Sequence, residues 1–315
     1  MFIIANILVT GGSGFIGSHV VRQLVDRGQN VVVYDMFLSE RLNQVKESIG
    51  FVQGDISEWD QLLHAIKQHQ VQTIIHLAYY RDIQEQEKNP HRATKINCLG
   101  FNHILEAARI MGIKRVVWAS STAVYGYPHL YNEPVDEDAL LSPTSIYGAC
   151  KAYDEYLSNH YRKAFGLETI GLRPTVVYGD GRWYRGLSNF TYDLFAYATS
   201  GKEYVVQHGD KRVDWLHVKD CARAFVLAAL VTNTVHGIFN ITGQVATLRE
   251  ATEAIQRIEP NARFEIKPGG REEEYWPAYL DGTRAKDELG YIPEFDLSKG
   301  CKDYLDILRA SFIEV

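Results

Sequence analysis

The stretch that decides the fold is Thr10–Gly17, which reads TGGSGFIG. An apolar run, Ile3–Thr10, leads into it, and an amphipathic helical pattern, Ile16–Arg27, follows it. Glycines spaced in this way permit a tight turn, the close approach of a pyrophosphate, and close packing of helix on strand. The free N–H groups of the helix N-terminus suit phosphates, although a plain strand-to-helix turn is the alternative for a glycine triplet taken alone. The pattern predicts dinucleotide contacts from Gly11, Ser13, Gly14, Phe15, Ile16 and Gly17.

Beyond this loop, short apolar runs alternate with helical patterns through the first half of the chain. Fully apolar strands separated by helices are typical of a parallel sheet covered on both faces. We therefore predict an α/β fold with a doubly wound parallel (Rossmann) sheet, and ligands beyond the carboxyl ends of its strands. The further strands are expected at Val31–Tyr34, Thr73–Leu77, Val116–Ala119 and Thr169–Leu172, and the further helices at Gln61–Gln68, Thr94–Met111 and Tyr147–Phe165.

After Arg173 the rhythm changes to short mixed elements with glycine and aromatic loops. We expect residues 1–173 to form the NAD-binding domain and residues 174–315 to form mainly a smaller, mixed substrate-binding lobe. Residues of about 205–242 are expected to return to the first domain, with strands near Val205 and Trp215–Val218 that would join the main sheet. The elements expected in the small lobe are Gly237–Thr242, Arg249–Arg257, Phe264–Lys267 and Lys299–Leu308.

Composition narrows the class of protein. Of the 315 residues, 46% are hydrophobic and 23% charged, which excludes disordered and disulfide-rich scaffolds. A net charge of −6 provides no basic surface of the kind that binds nucleic acid or an anionic membrane. No apolar run approaches the roughly 18 residues of a membrane span, and the first run has no basic segment before it. The four cysteines and the histidines form no metal pattern. We therefore expect a cytoplasmic protein with no membrane or nucleic-acid partner and no metal.

An acidic residue ends the second predicted strand, at Asp35, where a carboxylate can meet the ribose hydroxyls of a dinucleotide. The same carboxylate repels a 2′-phosphate, and no arginine follows immediately, so we predict NAD rather than NADP. The adenosine half is expected to contact Asp55 and Ile56 after the third strand, and Leu77 and Ala78 after the fourth. Each of these segments, taken alone, is also typical of an ordinary turn at a strand end.

The candidate chemistry begins with Tyr147 and Lys151, which share one face of a predicted helix at i and i+4. A tyrosine with its usual pKa of about 10 is a poor base, so it needs a nearby cation to favour the phenolate. Lys151 is placed to supply that cation and to hold the ribose. Upstream, Ser120-Ser121-Thr122 closes the fifth strand, at the sheet edge where a substrate oxygen would arrive.

Jointly these segments resemble the extended short-chain dehydrogenase/reductases, the NAD-dependent epimerase/dehydratase family. The resemblance implies a catalytic set of Ser121, Tyr147 and Lys151. It also implies Tyr147, Lys151 and Pro174 as cofactor contacts. Asn97 also matches a family position, with a structural buried amide as the alternative. Pairing of the two long helices into a homodimer is likewise implied. The matching segments are Thr10–Gly17, Asp35, Asp55-Ile56, His76–Ala78, Ser120–Gly126, Tyr147–Lys151 with Glu155, Arg173–Gly179 and His217–Ala222.

Departures from the family pattern narrow the range of reactions that the resemblance implies. The acid/base pair of the family's dehydratases is replaced by Thr122-Ala123, which disfavours water elimination. Val176 stands where nucleotide-sugar epimerases usually carry an asparagine, and Val213 where they carry an arginine, with Arg212 one residue away. Valine replaces neither polar contact. Arg271 does match an arginine of the epimerase pattern.

Aromatic side chains with polar groups, which suit sugar rings, cluster near the presumed substrate end. Packing between the two lobes is the alternative role of each aromatic residue, and a solvated loop charge is the alternative for Arg81. The aromatic residues are Tyr79, Tyr80, Tyr127, Trp183, Tyr184 and Trp276. The candidate substrate contacts are Tyr79, Arg81, Thr122, Val176, Trp183 and Arg271.

Three functions are consistent with the sequence. The first is an NAD-dependent oxidoreductase that transfers hydride at a secondary alcohol or ketone of a polar, sugar-like substrate. The second is a nucleotide-sugar 4-epimerase, similar to UDP-glucose 4-epimerase, with tightly bound NAD. The third is a non-catalytic NAD-sensing protein, against which the intact Ser121, Tyr147 and Lys151 set argues.

Overall fold

A computed structural model describes residues 6–80, 83–182, 188–270 and 275–313. Its largest feature is a seven-stranded sheet in which every paired strand is parallel, in the order β3-β2-β1-β4-β5-β6-β10. The strand order reverses between β1 and β4, so a crevice opens beyond their carboxyl ends. The predicted doubly wound fold is confirmed. The strands are β1 Asn6–Thr10, β2 Asn30–Asp35, β3 Ile49–Gln53, β4 Thr73–His76, β5 Arg115–Ala119, β6 Glu168–Pro174 and β10 Ile238–Ile241.

Helices cover both faces of this sheet. One core packs α1 (Phe15–Asp26) and α8 (Val218–Leu230) on the sheet. The other packs α2 (Trp59–Gln68), α5 (Gly100–Met111) and α6 (Ile146–Phe165) on the opposite face. Along β5, Val117 faces the first core while Val116 and Trp118 face the second. Because both faces are buried, the strands are apolar at every position rather than at alternate ones.

The long helix predicted over Thr94–Met111 is interrupted. The structure has α3 (Ile83–Lys88), α4 (Pro90–Thr94) and then a π-helical segment, Lys95–Leu99, before α5 begins. Asn97 lies in this segment and is fully buried. Its amide oxygen accepts a hydrogen bond from the Tyr80 N–H at 2.8 Å, and its amide nitrogen donates to Gln86 Oε1 at 3.1 Å. These contacts support the alternative given for Asn97, a buried amide with a structural role.

Two strands expected in the main sheet lie elsewhere. Val205 belongs to β8 (Glu203–Val206), which pairs only with β12 (Arg263–Ile266) in the described part of the chain. Trp215 belongs to β9 (Arg212–His217), in a small sheet with β7 (Val176–Tyr178) and β11 (Gln244–Thr247). Conversely β10, which falls both among the elements expected in the small lobe and within the range of about 205–242 expected to return to the first domain, forms an edge of the main sheet. An apolar run predicts a strand but does not identify its neighbour, which explains both corrections.

The small sheets and three helices enclose a separate core around Trp215, Phe195 and Tyr304. These helices are α7 (Phe190–Ser200), α9 (Leu248–Ile258) and α11 (Leu297–Ile313), and α10 (Thr283–Leu289) packs against β10. No helix among the described residues is long and apolar enough to cross a membrane. In the same part of the chain, no cluster of three or more His, Cys, Asp or Glu side chains is arranged to hold a metal ion.

Candidate active site

A cleft of about 520 Å³ opens at the carboxyl ends of the sheet strands. Its walls come from the glycine loop, the segments after β4 and β5, the N-terminus of α6, and the segment after β6. Strand register brings these ends together, because Thr10 of β1 lies opposite Tyr34 of β2 on one side and His76 of β4 on the other. Segments that are far apart in sequence therefore meet around one cavity.

Two close approaches between backbone segments determine the shape of the glycine loop. Gly11 has a φ of +70°, and a Cβ there would lie 2.5 Å from the backbone nitrogen of Ala78. A Cβ on Gly17 would lie 2.1 Å from the Gly11 carbonyl oxygen. Only glycine permits both the left-handed backbone and this packing of helix on loop. The cradle and the N-terminus of α1 behind it fit a pyrophosphate. Gly11, Gly14, Phe15, Ile16 and Gly17 line the cleft.

Asp35 at the end of β2 is held against the same loop. Its two carboxylate oxygens accept hydrogen bonds from the N–H of Ser13 at 3.0 Å and from the N–H of Met36 at 2.8 Å. Ser13 Oγ in turn accepts from the N–H of Ser39 at 3.2 Å. The carboxylate is thus fixed beside the loop, where negative charge favours ribose hydroxyls and opposes a 2′-phosphate.

The four residues predicted for the adenosine half occupy different surroundings. Leu77 lines the cleft, and Ala78 contacts Gly11 of the loop. The carboxylate of Asp55 accepts from the N–H of Ser57 at 2.8 Å. Ile56 is buried in the core beneath α5. Ile56 therefore contributes packing, and its carbonyl oxygen lies 3.0 Å from His103 Nδ1.

Ser121, Tyr147 and Lys151 line one wall of the cleft. Ser145 caps α6 by accepting from the N–H of Gly148 at 3.1 Å, so Tyr147 lies in the first turn of the helix, one turn before Lys151. Ser121 Oγ accepts from the N–H of Ala123 at 3.1 Å, which leaves the hydroxyl hydrogen for another acceptor. Lys151 is only 3% exposed, and burial lowers its pKa to about 8.

A buried polar network fixes this wall from behind. The Arg173 guanidinium donates two hydrogen bonds to the Glu155 carboxylate, at 2.8 and 2.6 Å. The same carboxylate accepts from Ser120 Oγ at 2.5 Å, and Arg173 also donates to the Tyr125 hydroxyl at 2.5 Å. The network ties β5, α6 and β6 together directly behind Ser121.

Some predicted substrate contacts lie in the cleft, and others lie outside the described residues. Tyr79, Thr122 and Val176 line the cleft, as do the aromatic residues Tyr127 and Trp276 and the cofactor candidate Pro174. The residues that fall outside the described part of the chain are Arg81, Trp183, Tyr184 and Arg271.

The structure removes Arg212 as a substitute for the arginine of the epimerase pattern. Its guanidinium donates to both Glu133 carboxylate oxygens, at 2.7 and 3.4 Å. Val213 is buried in the core of the small lobe. His217 is buried and stacks on Phe295 at 4.1 Å between ring centres.

Several residues that line the cleft were not identified from sequence. The buried Asp214 contacts one of them, Thr175, and burial raises the pKa of Asp214 to about 7. Thr175 follows Pro174 directly and could have been included by adjacency. Glu87 lies in α3, and the others come from loops that no periodic pattern marks. The residues include Glu87, Thr144, Thr175, Arg182, Ser188 and Tyr275.

Comparison with known proteins identifies the family to which this chain belongs. Residues 7–242 match the model of the NAD dependent epimerase/dehydratase family. A putative UDP-glucose 4-epimerase of Methanocaldococcus jannaschii is 34% identical over 307 residues, covering 96% of this chain and 98% of the relative. The chain belongs to the NAD dependent epimerase/dehydratase family, which confirms the resemblance seen in sequence. It is an NAD-dependent enzyme of the extended short-chain dehydrogenase/reductase class.

Solved structures of two activities are similar to this chain. A Stenotrophomonas maltophila UDP-glucose 4-epimerase with bound NAD and formylated UDP-arabinopyranose has a TM-score of 0.88 at 26% identity, covering 99% of this chain and 100% of that one. An L-threonine dehydrogenase from Clostridium difficile has a TM-score of 0.85 at 26% identity, covering 98% of both chains. The fold thus accommodates net dehydrogenation as well as epimerisation.

Proposed function

We propose that this protein is an NAD-dependent oxidoreductase that transfers hydride at a secondary alcohol or ketone of a polar, sugar-like substrate. The observation that carries the proposal is that Ser121, Tyr147 and Lys151 line the same cleft as the glycine loop. When bound, NAD supplies the hydride acceptor or donor. The chain itself must then bind, orient and move a proton at the substrate oxygen.

In this proposal Tyr147 is the general acid/base and exchanges a proton with the substrate oxygen. Ser121 donates a hydrogen bond to that oxygen with the hydroxyl hydrogen that its own contact leaves available. The Lys151 ammonium lowers the cost of a phenolate on Tyr147, because a nearby cation favours the charged form. The proposed cofactor contacts are Gly11, Ser13, Gly14, Phe15, Ile16, Gly17, Asp35, Asp55, Leu77, Ala78 and Pro174.

Residues of the small lobe beside the cleft favour a substrate without a nucleoside diphosphate. Val176 and Val213 provide no polar contact, and Glu133 already engages Arg212. Aromatic walls from Tyr79, Tyr127 and Trp276 suit a polyhydroxylated substrate instead.

A nucleotide-sugar 4-epimerase is the second candidate. The relative from Methanocaldococcus jannaschii is named a putative UDP-glucose 4-epimerase, and 98% of its length aligns with this chain. Arg271 is the proposed anion contact in that case. The third alternative, a non-catalytic NAD sensor, is set aside because the chain belongs to a family of enzymes.

A substrate panel separates the two candidates. The purified protein is incubated with NAD and uronic acids, aldoses, UDP-sugars or simple hydroxy acids. We expect NADH to accumulate with one of the compounds that lack a nucleotide. Interconversion of UDP-sugar stereoisomers, with no net change in cofactor, would replace this proposal with the epimerase.

We also propose a homodimer formed through α5 and α6. Exposed apolar side chains on these adjacent helices support it, since such patches commonly mark protein interfaces. Tyr156 is 68% and Phe165 51% exposed, and Ile110 and Tyr153 are also exposed. Light scattering at micromolar concentration should give twice the chain mass, and a single-chain mass would exclude the dimer.

Two assignments from sequence remain proposals. We propose that residues 1–173, together with α8 and β10, form the NAD-binding domain, and that the remainder forms mainly the substrate lobe. Cytoplasmic localisation is supported by four cysteines that form no disulfide in the structure. Recovery of the protein from a membrane or secreted fraction would contradict that localisation.

A further inference from the structure

Tyr79, a candidate substrate contact, lies against both members of the proposed catalytic pair. The Lys151 Nζ sits 3.5 Å from the centre of the Tyr79 ring. The Tyr147 ring meets the same ring edge to face, at 5.5 Å between centres and 89° between planes. One aromatic ring therefore contacts both the cation and the phenol.

The segment that carries Tyr79 is firmly held. It follows β4, where a Cβ on Gly11 would touch Ala78, and the next residue, Tyr80, donates its N–H to the buried Asn97 amide. A ring on a fixed backbone can determine where a flexible lysine side chain points, because the lysine otherwise has many rotamers to choose from.

We propose that Tyr79 is a positioning residue, whose ring holds the Lys151 ammonium in the cleft and orients Tyr147 beside it. The assignment rests on the proposed roles of Lys151 and Tyr147. The negative face of an aromatic ring attracts a cation, and the attraction grows when the cation is removed from water. Lys151 is buried, and its ammonium donates to the carbonyl oxygen of Ala119.

The ring, rather than the hydroxyl, carries this role. The Tyr79 hydroxyl is buried beside the Cys150 thiol and donates to no oxygen or nitrogen of the described residues. Burial raises the pKa of Tyr79 well above its ordinary value, so the hydroxyl stays neutral. Removing this hydroxyl should therefore leave the lysine unaffected.

The charged and titratable groups around Lys151 make the ring important. Burial raises the pKa of Asp154 well above its usual range and lowers that of His76 to about 3, which in each case favours the neutral form. Glu155 is engaged by Arg173. The groups that face Lys151 are Asp154, Glu155 and Cys150 of α6, Cys98 of the π-helical segment, His76 of β4, and the two tyrosines.

Titration of Lys151 tests the proposal without a substrate. Protein labelled with ¹³C at the lysine ε carbon is titrated by NMR, and the Lys151 signal is assigned by its loss in Lys151→Arg. Tyr79→Phe keeps the ring, whereas Tyr79→Leu and Tyr79→Met replace it with apolar side chains that keep water out. Tyr80→Leu is the matched control, because its ring contacts Arg92 instead.

We expect the Lys151 midpoint to lie near pH 8 in the wild type, in Tyr79→Phe and in Tyr80→Leu. In Tyr79→Leu and Tyr79→Met it should fall by about one pH unit, because the buried ammonium loses its aromatic partner. Tyr79→Phe and Tyr79→Leu both lack the hydroxyl that lies beside the Cys150 thiol, so any effect of its loss on the thiol titration is common to these two variants. Equal midpoints in the Phe and Leu variants, or an upward shift without the ring, would overturn the proposal. A failed substrate panel would leave this titration unaffected, so the two proposals fail separately.

Discussion

Tyr147→Phe is expected to lower kcat by about 10²–10⁴-fold, the usual contribution of a general acid/base. The phenol is the one group in the proposed set that exchanges a proton with the substrate, and phenylalanine has the same ring without an exchangeable proton. The Tyr79 contact depends on the ring and should survive. The measurement is NADH formation with the compound identified from the panel.

Tyr153→Phe is the matched control, because Tyr153 lies on the same helix and is 45% exposed. It should leave kcat unchanged. Wild-type turnover in Tyr147→Phe would show that another group moves the proton, and equal losses in the two variants would point to a general disturbance of α6.

Arg173→Met is expected to lower the free energy of unfolding by about 3–5 kcal/mol, because it leaves the buried Glu155 carboxylate without its cation. The two side chains are nearly inaccessible to water, and two hydrogen bonds join them. The change also removes the donor to the Tyr125 hydroxyl. Urea unfolding followed by circular dichroism gives the measurement.

The exposed pair of Arg109 and Glu106 provides the comparison for that experiment. Arg109→Met breaks an ion pair of similar geometry at the surface, where solvent screens the charges, and should leave the unfolding curve unchanged. The double variant Arg173→Met/Glu155→Met should recover part of the loss, because no unpaired charge stays buried. Equal stability of the wild type and Arg173→Met would refute the importance of the network.

Local patterns explain why much of the site could be predicted from sequence. The spacing of Gly11 and Gly17 reflects contacts within one turn, and the spacing of Tyr147 and Lys151 reflects one helical turn. Such spacings involve few residues and can be recognised without knowledge of the tertiary structure. The parallel sheet was likewise predictable, since strands buried on both faces are apolar throughout.

Relations between distant segments could not be predicted in this way. Arg212 and Glu133 are 79 residues apart, and nothing in either segment indicates their ion pair. The contact of Tyr79 with Lys151 likewise arises only when β4 and α6 meet at one cavity. The sheet membership of β8 and β9 was predicted wrongly for the same reason, because strand pairing is a tertiary property.

Transfer of deuterium from substrate to cofactor is the most direct test of hydride chemistry in this cleft. The panel compound that yields NADH is prepared with deuterium on its carbinol carbon and turned over with unlabelled NAD. We predict deuterated NADH by mass spectrometry, formed by the wild type and strongly reduced in Tyr147→Phe. Unlabelled NADH, with the deuterium released into water, would contradict direct hydride transfer from the substrate to NAD.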